Sequence, residues 1–261
     1  MKKTKIFSYI FLGALSVLAI RECSYHIGPS ERYRQEFQEE VKTYSEKIKN
    51  RRFPRNSKTE NTINLTVYLD AEFKLNHDRW LTIDTDWEKD FETSLEKAAK
   101  RFNEEFNINF QVDEVKYWNP EIESDKPLHK CIDHLFEKES DTIGVIGLTG
   151  KETYNTATIG VAQTKYLPKL KLATVIRDIR KSPIDLEYFI FHDLPLENLI
   201  QHEISHWFYA HDLLGIEKSV MDYNYIGKTN RWDHNNKLRM ESRIPEILEA
   251  TKAYKNLKTK P

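Results

Sequence analysis

The sequence is poor in the features that mark several common protein classes. Among its 261 residues are only two cysteines, Cys23 and Cys131, too few for a disulfide framework, and no CxxC pair that could hold zinc through thiolates. Neither charge sign dominates, because 40 Lys and Arg residues nearly balance 41 Asp and Glu residues. A nearly neutral chain has no overall field that attracts nucleic acid, so we expect no nucleic-acid partner. Any zinc site in this chain therefore has to be built from histidine.

The sequence also lacks an apolar run of full membrane-spanning length. Residues 6–20 contain no charge, but a transmembrane helix needs about 20 such residues. This stretch follows three lysines within the first five residues, and basic residues before a short apolar segment are typical of an export signal. For residues 1–28 a cleaved signal peptide and an uncleaved membrane anchor both stay open. In either case we expect a protein that works outside the cytoplasm, secreted or attached to the membrane through residues 6–20.

The remaining chain divides by composition into a charged segment and a domain. Residues 29–61 are dense in charge. Helical spacing over residues 29–50 predicts a solvated helical stalk, and the polar composition of residues 51–61 predicts a linker. Residues 62–261 form the predicted domain. Its hydrophobic patterns predict five strands, near residues 63–69, 108–112, 142–148, 157–163 and 172–179. They also predict four helices, near residues 87–106, 128–139, 196–210 and 244–254. This order predicts an α+β fold with helices packed on a mixed sheet, and the absence of GxGxxG argues against a dinucleotide-binding fold.

Two histidines four residues apart lie on the predicted helix at 196–210. At that spacing His202 and His206 share one face, with Cβ atoms about 5–6 Å apart, so both imidazoles can bind one cation. Zinc lowers the pKa of a bound water to about 7, and a neighbouring carboxylate can take its proton as the water attacks a peptide carbonyl. Glu203 is placed for that role without being a ligand. The sequence His202-Glu203-Ile204-Ser205-His206 therefore predicts a zinc-dependent endopeptidase with Glu203 as general base.

The residues after this motif resemble the metzincin clan of zinc peptidases. The clan's motif is HExxHxxGxxH, sometimes ending in Asp, followed by a tight turn that contains methionine. Here His211 and Asp212 are followed by Ser219-Val220-Met221-Asp222-Tyr223. The resemblance implies a metzincin-like catalytic domain with a mixed, mainly parallel five-stranded sheet and a cleft that binds a peptide or protein substrate.

The resemblance also implies roles for residues that have no signal of their own. Met221 would lie beneath the zinc ion, and Tyr223 would stabilise the oxyanion that forms during hydrolysis. A strand at the edge of the sheet would bind the substrate as an added antiparallel strand. Gly160, Val161 and Ala162 fit that strand, since a glycine leaves room for a second backbone to approach.

Two neighbouring residues compete for the third zinc position. Asp212 lies ten residues after His202, which is the usual spacing in the clan, whereas His211 comes one residue early. Tyr209 stands where the clan has glycine, and a left-handed turn at a non-glycine residue costs about 1–2 kcal/mol. A turn shortened by one residue avoids that cost and brings an imidazole to the metal. We therefore expect His211 as the third ligand, with Asp212 as the alternative.

Two other functions stay open from the sequence. A zinc-binding interaction domain of the same fold could have lost turnover, although the presence of Glu203 argues against this. A peptidase of the other large HExxH group would take a glutamate ligand from a later helix, for which Glu241 and Glu246 are available.

Overall fold

A single mixed sheet organises the computed structural model, which describes residues 28–78, 86–120, 127–138, 142–150, 159–166, 169–177, 195–213, 215, 217–222 and 225–258. Across these ranges it contains the strands β1 (Arg51–Phe53), β2 (Thr62–Leu69), β3 (Asn109–Tyr117), β4 (Gly144–Thr149), β5 (Gly160–Lys165) and β6 (Lys171–Arg177). The order across the sheet is β1-β3-β2-β4-β6-β5. The four inner strands are parallel, and β1 and β5 run antiparallel to their neighbours at the two edges.

This sheet confirms the predicted mixed, mainly parallel architecture and corrects the number of strands. Six strands are present among the described residues instead of five. The additional strand is β1, which pairs with β3 from inside the segment predicted to be a linker. Three residues are too few to produce a hydrophobic period, so this strand has no signal in the sequence.

The helices, in chain order over the described residues, are α1 (Glu31–Ile48), α2 (Ala71–Asp78), α3 (Trp87–Phe106), α4 (Pro127–Glu137), α5 (Leu196–Ser205) and α6 (His234–Lys258). A 3₁₀ turn, His206–Phe208, follows α5 directly. The start of α3 is capped by Asp86, whose carboxylate accepts hydrogen bonds from the backbone N–H groups of Glu88 and Lys89.

Helices cover both faces of the sheet, which gives two hydrophobic clusters. The larger cluster joins α1, α3, α5 and α6 to one face. The smaller cluster places α4 on the other face. Neighbouring residues of β4 divide between them, Ile146 in the larger and Val145 in the smaller, as expected for a strand whose side chains alternate. All eight residues of β2 are consequently buried, although its alternating sequence predicts a strand with only one buried face.

Helix α1 shows that the predicted solvated stalk is wrong. The helix is present, but Phe37, Val41, Tyr44 and Ile48 are at most 1% exposed. The ring centre of Tyr44 lies 4.9 Å from that of Trp87 on α3, in an edge-to-face arrangement. Burial of such side chains stabilises a fold by about 1.5–3 kcal/mol each, so this helix is an integral part of the core. Its charged residues occupy the outer face. Because they are numerous, the overall composition of the segment suggests a solvated helix although one face is apolar.

The predicted export signal or anchor lies outside the described residues. Among the helices that the structure does describe, none is long and apolar enough to cross a membrane. Membrane attachment through residues 6–20 and a location outside the cytoplasm therefore stay predictions.

Candidate metal centre

Helix α5 carries the HExxH motif and is held in place along its length. It packs against α3 and against strands β5 and β6. At its carboxyl end the Ser205 hydroxyl donates to the Gln201 carbonyl (2.6 Å) and accepts a hydrogen bond from the Trp232 indole N–H (2.8 Å). Both His202 and Glu203 are buried. The helix therefore presents the motif from a fixed position inside the protein.

Three side-chain atoms converge next to this helix. The Nε2 atoms of His202 and His206 lie 3.3 Å apart. The Oδ1 atom of Asp212 lies 3.2 Å from the first of these nitrogens and 3.4 Å from the second. These donors form a nearly equilateral triangle, and they are a group that could hold a metal ion.

The triangle has the dimensions that zinc requires. Zinc–nitrogen bonds of about 2.0–2.1 Å in a tetrahedral site place neighbouring ligand atoms about 3.3 Å apart. The other ring nitrogen of each histidine is engaged by the backbone: Nδ1 of His202 is 2.8 Å from the Val220 carbonyl oxygen, and Nδ1 of His206 is 2.8 Å from that of Ala210. A carbonyl only accepts, so each Nδ1 carries the proton and each Nε2 offers its lone pair. The residues present therefore fit a tetrahedral zinc ion with one position left for water or substrate.

The preference for His211 as third ligand is corrected by this geometry. The structure places Asp212 in the cluster, while His211 is exposed and takes no part in it. The side-chain amide of Asn236 holds the backbone of His211 at both ends, accepting from its N–H (2.7 Å) and donating to its carbonyl (3.0 Å). This clamp fixes the segment so that the next residue faces the two histidines.

The physical reason for this correction is the conformation of Tyr209. The residue adopts the left-handed region, with φ 65° and ψ 20°, so the turn keeps its full length without glycine. Its cost of about 1–2 kcal/mol is offset by contacts from elsewhere in the chain. The Arg243 guanidinium lies 4.5 Å from the centre of the Tyr209 ring, and the Tyr209 hydroxyl hydrogen-bonds that of Tyr166. Neither partner is near Tyr209 in sequence, so local reasoning alone favours the shorter turn.

The ionisable groups of the site shift one another's pKa values. Burial raises the pKa of Asp212, but hydrogen bonds from His202 and His206 outweigh it and hold that pKa far below its usual range. Burial lowers the pKa of His206, yet the hydrogen bond to Asp212 and the nearby acidic charges raise it overall. The Asp212 carboxylate is thus kept ionised, which is the form in which it can bind a cation.

Glu203 lies beside the cluster without joining it. Its Oε1 atom is 3.9 Å from Nε2 of His202. Burial raises the pKa of the Glu203 carboxyl, and the charges of the two histidines offset only part of that effect. A buried carboxylate with a raised pKa, beside a group that could hold a metal ion, is suited to accept a proton.

Gly160, at the start of β5, makes room for this carboxylate. A Cβ atom added at Gly160 would overlap the carboxyl group of Glu203. The sequence-based explanation, in which the glycine leaves space for a substrate backbone, therefore needs correcting: the space is filled by the proposed general base. The same contact ties β5 to α5 at the site.

The other residues of the predicted substrate strand are half-buried and lie on the outermost strand of the sheet. Val161 packs with the smaller cluster and Ala162 with the larger one. Each is paired with β6 on one side only, Val161 with Val175 and Ala162 with Thr174. The outer edge of β5 is where an added strand would bind, and substrate pairing there stays a prediction.

The predicted methionine turn is linked to His202 by a hydrogen bond. It runs from Ser219 to Asp222 and is closed by a hydrogen bond from the Asp222 N–H to the Ser219 carbonyl (3.1 Å). Met221 is fully buried, and the preceding residue, Val220, provides the carbonyl that orients the His202 ring. Tyr223, the predicted oxyanion-stabilising residue, lies outside the described residues.

A polar network at the start of α6 supports the methionine turn and the segment leading to Asp212. This network was not predicted from the sequence. Asp233 caps this helix, accepting from the backbone N–H of Asn236 (2.9 Å), and also accepts from the Ser219 hydroxyl (3.0 Å). The Asn236 amide donates to the same carboxylate (2.8 Å) while it clamps His211. The methionine turn and the segment leading to Asp212 are therefore anchored at one point. An aspartate three residues before Asn236 is a helix-cap signal, but the loops it supports cannot be identified from that signal.

Comparison with known proteins gives little at the level of sequence. Neither a protein-family model nor a curated protein matches the chain. Among solved structures, the fold is similar to the crystal structure of archaemetzincin from Methanopyrus kandleri, with a TM-score of 0.46 and 13% sequence identity. The match covers 71% of this chain and 97% of that one.

Proposed function

We propose that this protein is a zinc-dependent endopeptidase with a metzincin-like active site. The observation that carries the proposal is the triangle formed by the donor atoms of His202, His206 and Asp212. Its edges of 3.2 to 3.4 Å match those of a tetrahedral zinc site. A buried glutamate next to the open side supplies the group that peptide hydrolysis needs.

Each residue has a defined role in this proposal. His202, His206 and Asp212 hold the ion, and the carbonyls of Val220 and Ala210 keep the two rings in the required tautomer. Bound zinc lowers the pKa of water and polarises the substrate carbonyl.

Glu203 transfers the proton in this proposal. It accepts a proton from the attacking water and passes it to the leaving amine. Its carboxyl group lies against Gly160, where a side chain of any other residue would displace it. Tyr223 and the outer edge of β5 keep their proposed roles in stabilising the oxyanion and in binding substrate.

An inactive zinc-binding domain of the same fold is the competing function. Burying an ionised carboxylate costs free energy, and an inactive domain has no function for the Glu203 carboxylate that would explain this cost. The alternative with a distal glutamate ligand is less well supported, because Asp212 lies with His202 and His206 in the group that could hold a metal ion. Glu246 is paired with Arg243 on α6.

Zinc binding and peptide hydrolysis by the purified chain test the proposal together. We expect one zinc ion per chain, cleavage of a denatured protein substrate, loss of cleavage after chelation, and recovery when zinc is restored. Asp212→Ala should weaken zinc binding by at least tenfold, whereas His211→Ala, at the neighbouring exposed position, should leave it unchanged. If His211→Ala instead removes the zinc, the ligand assignment fails. If the zinc-loaded chain hydrolyses no peptide, the inactive-domain alternative is supported.

The location of the protein is part of the same proposal. The basic and apolar pattern at residues 2–20 supports export, so the substrate would be a peptide or protein outside the cytoplasm. Detection of the native full-length protein in membrane, medium and cytoplasmic fractions tests this directly, and a purely cytoplasmic signal would overturn it.

A further inference from the structure

Two tyrosines near the candidate metal centre are unusually exposed for large side chains. Tyr166 is 47% and Tyr209 is 45% exposed. Tyr166 directly follows β5, and Tyr209 comes three residues after His206. Their hydroxyl groups are hydrogen-bonded to each other, so the two side chains meet at their tips. We call them the tyrosine pair.

Arg243 of α6 fixes the tyrosine pair from the protein side. Its guanidinium carbon is 4.5 Å from the centre of the Tyr209 ring and 5.1 Å from that of Tyr166. Its Nη2 atom donates to the Tyr166 hydroxyl, and Nη1 is paired with Glu246. The Arg243 side chain is only 3% exposed. Both hydroxyls and the positive charge are thus engaged within the protein, and what the tyrosine pair offers to a ligand is aromatic ring surface.

The tyrosine pair lies along the path of a peptide bound to β5. At one end of this strand Gly160 contacts Glu203, which places the reacting bond there. At about 3.3 Å per residue, Tyr166 lies about 20 Å further along the chain. The 3₁₀ turn that leads to Tyr209 packs against the same strand. A peptide paired antiparallel to β5 runs from Tyr166 towards Gly160, so its residues before the scissile bond pass the tyrosine pair.

We propose that Tyr166 and Tyr209 form a specificity subsite for an aromatic side chain on the amino-terminal side of the scissile bond. The proposal rests on the peptidase function proposed above. Aromatic rings associate favourably beyond the area that they bury, and a half-exposed pair held rigidly by Arg243 loses little freedom on binding. Arg243 itself offers little to an acidic side chain, because it is covered and already paired.

Cleavage of a matched peptide series by the zinc-loaded full chain tests the subsite. The peptides carry a single Phe, Ala or Glu, moved one position at a time through the residues before the scissile bond. We expect kcat/KM to favour Phe over Ala by about tenfold at one position in the parent protein. Tyr166→Ala should reduce this ratio to near one. Tyr166→Phe, which keeps the ring and loses the hydroxyl, should retain most of it.

Two controls separate recognition from a structural effect. Leu238→Ala removes a similarly exposed apolar side chain from α6 and should leave the Phe/Ala ratio unchanged. Zinc content and melting temperature are measured for every variant. A disturbed Tyr209 turn would lower the zinc affinity of the protein and so reduce kcat/KM for all peptides equally. A ratio that is the same in the parent and in Tyr166→Ala overturns the subsite, as does a preference for Glu over Phe in the parent.

Binding without turnover distinguishes failure of the subsite from failure of the peptidase function. The same peptides are titrated into zinc-loaded Glu203→Gln and into the double variant Glu203→Gln with Tyr166→Ala. If the parent cleaves no peptide but Phe peptides bind more tightly only when Tyr166 is present, the subsite stands and the peptidase function falls. If binding shows no preference for Phe in either protein, the subsite is overturned whatever the cleavage result.

Discussion

Two buried carboxylates, Asp70 and Glu203, occupy very different surroundings. Asp70 follows β2 and accepts three hydrogen bonds, from the backbone N–H groups of Phe73 (2.7 Å) and Gly150 (3.0 Å) and from the Thr149 hydroxyl. Within the described residues no donor hydrogen-bonds the Glu203 side chain, whose charged neighbours are histidines and Asp212. A buried acid that accepts three hydrogen bonds joins segments of the fold, whereas one without them beside a possible cation site is available to move a proton.

A glycine lies next to each of these regions and sharpens the contrast. A Cβ at Gly150 would overlap the backbone of Glu72, two residues after Asp70. A Cβ at Gly160 would overlap the side chain of Glu203. Backbone cannot easily yield, while a side chain can be pushed aside. We therefore expect substitutions near Asp70 to lower the stability of the protein and substitutions near Glu203 to lower its activity.

The largest expected effect comes from Glu203→Gln. Removing a general base lowers hydrolysis by about 10²–10⁴-fold, while zinc binding and the melting temperature should be retained because this residue is no ligand and no acceptor for a buried donor. The measurement is kcat/KM on a generic peptide together with zinc content. Glu197→Gln, on the same helix but away from the cluster, is the matched control. A Glu203→Gln variant as active as the parent would contradict the proposed role.

Gly160→Ala should have the next largest effect on activity. The new methyl group displaces the Glu203 carboxyl, and misplacing a catalytic group by about 1 Å can cost on the order of 10²-fold in rate. Gly150→Ala is the paired change in the other region. Because its overlap is with backbone, it should lower stability by about 1–3 kcal/mol and leave the activity of the folded protein intact. The comparison fails if Gly150→Ala reduces activity per folded molecule as much as Gly160→Ala does.

Asp70→Ala should lower the free energy of unfolding without changing the catalytic activity of the folded protein. It leaves the buried N–H groups of Phe73 and Gly150 without their acceptor, at about 1–3 kcal/mol each. Denaturant titration gives the loss in free energy of unfolding, and kcat/KM per zinc-loaded folded chain should match the parent. An unchanged unfolding midpoint would show that these hydrogen bonds contribute nothing net.

The smallest expected effect is a pH dependence of the free energy of unfolding, which is caused by ionisation of Asp70. Burial raises the pKa of Asp70 to about 7, with the charge of Glu72 adding to the rise and the three hydrogen bonds opposing it. A carboxyl with a raised folded-state pKa retains its proton longer in the folded than in the unfolded chain, so stability falls as pH rises from the unfolded-state pKa of about 4 through the folded-state pKa. Between pH 6 and 8 the loss should be about 1 kcal/mol.

Asp70→Asn is the control for this pH effect. The amide keeps an oxygen acceptor for the two backbone N–H groups but cannot ionise, so its unfolding free energy should lack this part of the pH slope. Equal slopes in the parent and in Asp70→Asn would show that Asp70 has an ordinary pKa.

The sequence predicted the elements that have a local period and missed those that depend on distant partners. Helix α3 matches its predicted bounds because its apolar residues recur along one face. Strand β1 was missed because it forms only by pairing with β3. Helix α1 was predicted as a helix, but its burial depends on the rings of α3 that receive it, and composition alone cannot show them.

The candidate site divides in the same way. The spacing of His202 and His206 fixes their common face as soon as a helix forms, and Glu203 follows with them. The sequence by itself determined this part. Tertiary structure brought Asp212 rather than His211 beside the two histidines, because the left-handed conformation of Tyr209 costs energy locally and is offset by contacts with Tyr166 and Arg243. A local pattern can fix neighbours on one helix, but a strained turn depends on segments that folding brings together.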